Sequence, residues 1–98
     1  MVLEQAILNV RPGKQAAFEV AFDQAKELIA GSSGFCSLRL SRCLEDENRY
    51  LLLVEWESLA AHVEGFRNSP AYDVWRKLLH HFYDPFPLVE HFQTIVER

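Results

Sequence analysis

The side chains in this sequence best suited to moving a proton near neutral pH are its four histidines, His62, His80, His81 and His91. Three of them fall in one stretch, Trp75 to Phe92 (WRKLLHHFYDPFPLVEHF), which also concentrates aromatic residues and two of the four prolines. This stretch reads as the wall and rim of a pocket. His80 and His81 are neighbours on a helix, so they diverge by about 100° and do not share a metal ion. With His91 they form no metal-ligand spacing of the kind two histidines on one helix face provide, and no metal site is expected. The helical wheel points His80 outward and sets His81 at the edge of the apolar stripe, within reach of a pocket. His62 lies on an earlier helix, roughly 70° from the centre of its apolar stripe, with an ordinary pKa suited to taking a phenolic proton. His62 and His81 are therefore the catalytic candidates. The structural alternative for His62 is a core-edge histidine bonded to a backbone carbonyl.

Around them stand Trp56, Phe66, Trp75, Phe82, Tyr83 and Phe86. These read either as core or as the lining of a cavity for a flat aromatic ligand, with Tyr83 supplying a hydroxyl. Glu55, set among apolar residues, needs a partner if buried, and Arg39 or Arg42 is the expected one. Glu90 and His91 read as salt-bridging residues of a subunit interface.

The elements that must position these groups follow from periodicity. Met1–Val10 alternates, with Glu4, Ala6, Leu8 and Val10 on one face and Leu3, Gln5, Ile7 and Asn9 on the other, a strand. After the Arg11-Pro12-Gly13 turn, Lys14–Ala30 carries Phe18, Phe22, Ala25 and Ile29 on one helical stripe. Phe35–Leu44 is a second strand, with Cys36, Leu38 and Leu40 sharing a face. Arg49–Trp56 is a third, apolar on both faces at Leu51 to Val54. Ser58 caps a short helix, Leu59–Arg67, with Leu59, Val63 and Phe66 as its buried stripe. Ser69-Pro70 starts another, cap then first-turn proline, on which Asp73 is placed to pair with Lys77. The chain closes with a strand over Leu88–Val96.

Strand, helix, strand, strand, helices, strand is the split βαβ, ferredoxin-like arrangement of an α+β domain. It predicts a four-stranded antiparallel sheet with helices on one face, in one domain spanning residues 1–98. A strand apolar on both faces needs two covers, and the chain is too short to supply the second. A second copy packed across the open sheet face, giving a barrel-like homodimer, is the expected cover.

Composition narrows the partners. A net charge of −4 argues against nucleic acid and anionic membrane surfaces. No apolar run reaches the eighteen or so residues of a membrane helix, and the N-terminus lacks the features of a secretory signal. Cys36 and Cys43, about 23 Å apart along one strand, are expected as free thiols in a reducing cytoplasm.

The element order, together with Val10-Arg11-Pro12-Gly13-Lys14, the Tyr50–Trp56 strand followed by Glu57-Ser58, and Asn68-Ser69-Pro70, resembles the antibiotic biosynthesis monooxygenase domain family across nearly the whole chain. The LLHHFYDPFPLVEHF segment resembles a hallmark of one branch of it. The resemblance implies a dimeric α+β barrel with a pocket between sheet and helices. It implies oxidation of phenols or quinols by molecular oxygen with no cofactor or metal in some members, and haem degradation in others. The oxygenases use Asn, Trp, Tyr and Arg side chains, and Asn9, Trp56, Tyr72 and Arg42 are of those types. In the haem-degrading branch the ligand His, helix Trp and strand Asn would fall at Trp75, Gly65 and Ala6, so none is in place. The expected function is a cofactor-independent oxygenase or quinol oxidoreductase acting on a small aromatic. The alternatives are a non-catalytic binding or stress-response dimer, its cavity filled by Phe66, Phe82 and Phe86, and haem binding.

Overall fold

The computed structural model describes residues 1–98. Strand β1 (Val2–Asn9) is followed by helix α1 (Gln15–Ala30), the hairpin of β2 (Phe35–Arg42) and β3 (Arg49–Trp56), and helix α2 (Pro70–Leu79). The last strand is β4 (Val89–Phe92). The sheet is antiparallel in the order β2-β3-β1-β4, as the element order predicts. No helix is long and apolar enough to cross a membrane.

The core lies between the helices and one face of the sheet. Ala6 and Leu8 of β1, Val10 just beyond it, and Tyr50, Leu52, Val54 and Trp56 of β3 meet Phe18, Phe22, Ala25 and Ile29 of α1, all buried. Alternation puts Leu3, Gln5 and Ile7 on the other face, opposite Glu55, Leu53 and Leu51 of β3. Phe92 pairs with Leu3 there. On this face Ile7 and Phe92 are exposed.

Three local departures from the sequence reading have physical causes. β4 is shorter than the expected Leu88–Val96 because its partner runs out. Phe92 is opposite Leu3, so residues beyond it have almost no β1 left to pair with, and Ile95 and Val96 are exposed. In β2 the register shifts between Phe35 and Ser37. This bulge turns Cys36 out to solvent while Phe35 packs on the core beside Leu38 and Leu40. Both cysteines are free.

The expected Leu59–Arg67 helix is wound irregularly, as a π turn (Ala61–Gly65) and a 3-10 turn (Phe66–Asn68). Its inward positions go to His62 and Phe66, while Leu59 is half exposed. The turn lies close over the connection between α1 and β2: a Cβ on Gly34, whose φ is +85°, would stand 2.6 Å from the Ala61 Cβ. Ser58 Oγ accepts the Ala61 N–H at 3.1 Å, and Ser69 Oγ accepts that of Tyr72 at 3.3 Å with Pro70 in the first turn, as the cap residues predict. Asp73 pairs with Arg76 at 3.8 Å instead of Lys77.

Candidate functional site

A cavity of about 340 Å³ opens between the inner sheet face and α2. This is near the lower end for small-molecule sites. Eleven of its sixteen lining residues are apolar. Trp75 and Phe66 form one wall, edge to face at 5.7 Å, with Tyr72 against Phe66 at 5.5 Å. The strap after α2, Tyr83 to Leu88, forms the rim; Phe86 is 63% and Leu88 73% exposed.

On the sheet floor lies a polar cluster whose members satisfy one another. Glu4 and His91 are directly paired between β1 and β4. The Glu4 Oε1 accepts the indole N–H of Trp56 at 2.9 Å and lies 3.4 Å from His62 Nε2. His62 Nδ1 is 2.8 Å from His91 Nε2, and the His62 ring stacks on Trp56 at 5.1 Å and 16°. With the Glu4 oxygen accepting from the indole, the tautomer that suits this cluster has the His62 Nε2–H directed at Glu4 and His91 donating to His62 Nδ1.

Electrostatics reinforce this assignment. Burial, with Arg67 and His91 adding to it, pushes the His62 pKa down to about 3. Burial, opposed by the Trp56 hydrogen bond and by Arg67, pushes Glu4 up. His62 is therefore neutral at pH 7, joined to His91 through Nδ1 and resting beside Glu4 at Nε2. It lines the cavity as expected, but with a pKa below the ordinary value and with side chains, not a backbone carbonyl, as its partners.

The second group of polar side chains faces the cavity unpaired. His80, Arg67, Tyr72 and Tyr83 line it, and the structure gives none of their side chains a hydrogen-bond or ion-pair partner within the chain. His80 rests against Phe86 at 4.9 Å and near Tyr72 and Tyr83. Burial, then Arg76, lowers its pKa, and burial raises that of Tyr83.

The two adjacent histidines thus exchange the places the sequence gives them. His81 is exposed, its ring against Phe82 and its carbonyl accepting from Arg11. The cause is the strap after α2, whose Tyr83 and Phe86 fold back against the His80 ring and carry the cavity wall round to it.

Among the other expected lining residues, Phe66, Tyr72, Trp75, Tyr83 and Phe86 reach the cavity. Trp56 lies behind it in the floor, and Phe82 is a core residue against Phe18 at 5.6 Å. Asn9 lies opposite Arg49 at the end of β1, where its carbonyl accepts the Asp84 N–H. Arg42 lies by Glu19 at 3.8 Å, away from the cavity. Glu55 pairs in register with Ser37 and Leu3 rather than with an arginine. Trp75, at the place of the haem ligand, offers an indole without an acceptor nitrogen. Sequence reading missed Glu4, Arg67 and His80; for Glu4 the signal was its inward register with Ala6, Leu8 and Val10.

The sequence profile of the antibiotic biosynthesis monooxygenases matches residues 1–78. The chain belongs to that family. The matched span holds β1 to nearly the end of α2, so the strap and β4, with His80, Tyr83, Phe86 and His91, lie outside it. Bacillus subtilis YczJ, an uncharacterized protein, is 52% identical over 95 residues, covering 97% of this chain and all of the relative. A Bordetella bronchiseptica protein named for the same monooxygenases superposes with a TM-score of 0.92 at 35% identity, over 97% of both chains. SnoaB, a cofactor-independent oxygenase from Streptomyces nogalater, shares the fold at a TM-score of 0.75 and 21% identity, over 99% of this chain and 93% of its own.

Proposed function

We propose that this protein is a cofactor-independent monooxygenase that converts a small phenol to a quinone with molecular oxygen. The observation that carries the reading is the partnerless His80 ring in the wall of an aromatic cavity. Family membership supports the reaction class, and SnoaB is a fold relative named as a cofactor-independent oxygenase.

The ring of the substrate lies between Trp75 and the strap. His80, neutral at pH 7, takes the phenolic proton. The phenolate passes one electron to oxygen, and the resulting pair of radicals joins at the ring carbon para to the oxygen. Loss of the hydrogen on that carbon with cleavage of the O–O bond gives the quinone and one water. One oxygen atom enters the product and the other leaves as water, so no further reductant is needed. The apolar walls keep water from the charged intermediates, while the Glu4–Trp56–His62–His91 floor fixes the shape of the cavity. A second copy of the chain covers the open sheet face and its exposed Ile7 and Phe92.

The test is oxygen uptake with 1-naphthol, which has a free para position, by the protein and by His80→Gln. The reading expects stoichiometric 1,4-naphthoquinone from the protein and near-background uptake from the variant. Equal uptake by both would remove His80 from the chemistry.

A further inference from the structure

Arg67 is the one Lys or Arg side chain lining the cavity. It follows the π turn and is partly buried, so its guanidinium has given up part of its water. Arg11, Arg42, Arg49 and Arg76 each stand within 4 Å of a carboxylate; Arg39, Arg67 and Arg98 do not, and of these three only Arg67 is partly buried and lines the cavity. The only carboxylate in the cavity wall is Glu4, and its Oε1 is taken by Trp56 and His62. The neighbouring histidines bring no negative charge. A guanidinium partly out of water, with Glu4 near enough to feel its charge but not ion-paired with it and with neutral imidazoles and aromatic faces around it, has no anion bonded to it, and its planar fork matches two oxygens.

We propose that the cavity takes an aromatic molecule bearing an anionic group, a carboxylate or an ionised hydroxyl, and that Arg67 binds that group. This rests on the cavity being a ligand site and deepens the reading above by naming the substrate class. The anion sits at the Arg67 end of the cavity, against Phe66 and Tyr72, and the ring extends towards Trp75 and His80. A charged anchor at one end also selects the orientation in which the ring enters, since the opposite orientation leaves the anion among apolar side chains.

The test is calorimetric binding with two matched pairs of probes. 2-Naphthoate against 2-naphthamide isolates a carboxylate. 2-Hydroxy-1,4-naphthoquinone, ionised at neutral pH, against 1,4-naphthoquinone isolates an ionised hydroxyl. At least one anion is expected to bind roughly ten- to a hundredfold more tightly than its neutral partner. Arg67→Gln, verified as folded by circular dichroism, is expected to abolish that preference, and Arg67→Lys to keep part of it. Equal affinity within both pairs, a preference that survives Arg67→Gln, or no binding of any probe overturns the proposal. Anion-selective binding without oxygen uptake on 1-hydroxy-2-naphthoate leaves this proposal standing and sinks the oxygenase reading. Turnover of 1-naphthol with no anion preference does the reverse.

Discussion

Trp56 donates its indole N–H to the Glu4 carboxylate at 2.9 Å, both groups being buried beneath the cavity. That bond ties β3 to β1 on the inner face of the sheet, and His62, 3.4 Å from the same oxygen, ties the π turn to both. Removing the carboxylate with Glu4→Ala strands the buried Trp56 N–H, a loss of about 1–3 kcal/mol, and takes away the group that His62 rests against. The variant should lose about 2–4 kcal/mol in urea denaturation. Glu4→Gln, which keeps an acceptor oxygen, should lose distinctly less. Similar losses in the two variants would show that volume and not hydrogen bonding is what Glu4 supplies.

Acid should weaken the fold through His62. Its folded pKa of about 3 lies below the ordinary value of 6.5, so between these values the unfolded chain binds a proton that the folded chain does not. Stability should therefore be full above about pH 6.5 and fall as pH drops towards 3, at up to about 1.4 kcal/mol per pH unit. His80 and His91, also lowered, act in the same direction. Glu4, raised above 4.5, acts in the opposite direction over the window just above that value. The check is denaturation at pH 7 and pH 5.5, where His62→Gln should lose less stability on acidification than the unaltered protein. Identical pH dependence would contradict the assignment.

His80 and His81 should separate cleanly in turnover of 1-naphthol. His80→Gln should lower kcat by about a hundredfold, within the usual range for a general base, and His81→Gln should leave it within about twofold. Because His80 acts as a neutral base with a lowered pKa, the rate should rise with pH through a midpoint below 6.5 and be level at neutral pH. A midpoint above 6.5 would point to another group.

This pair also marks how far the sequence could be read. The sheet order, the inward faces of β1 and α1, and the caps at Ser58 and Ser69 were legible because period and cap chemistry are local. The identity of the inward histidine was not, because it depends on where the strap after α2 folds back, with Tyr83 and Phe86 against His80, and no periodicity announces that. The floor cluster was half legible: Glu4 stood in an inward register, but its partners come from residues 56, 62 and 91. Arg67 was hidden for the same reason, since much of the rest of the cavity wall comes from β1 and the strap, far from it along the chain.

The open sheet face should be a subunit interface. Ile7→Lys and Leu53→Lys place charges where a second copy would bury them, at diagonal neighbours on β1 and β3. Sedimentation should show a dimer for the unaltered protein and a monomer for the double variant. A monomer from the outset would mean that the patch is covered in some other way or left in water.

The central claim is that an oxygen atom from molecular oxygen enters an aromatic ring held against His80. The direct measurement is mass spectrometry of the quinone formed from 1-naphthol under ¹⁸O-labelled oxygen, with unlabelled water as solvent and prompt quenching. The account predicts one labelled oxygen in the product, formed by the protein and not by His80→Gln. Quinone without label, or no quinone above the protein-free rate, would contradict it.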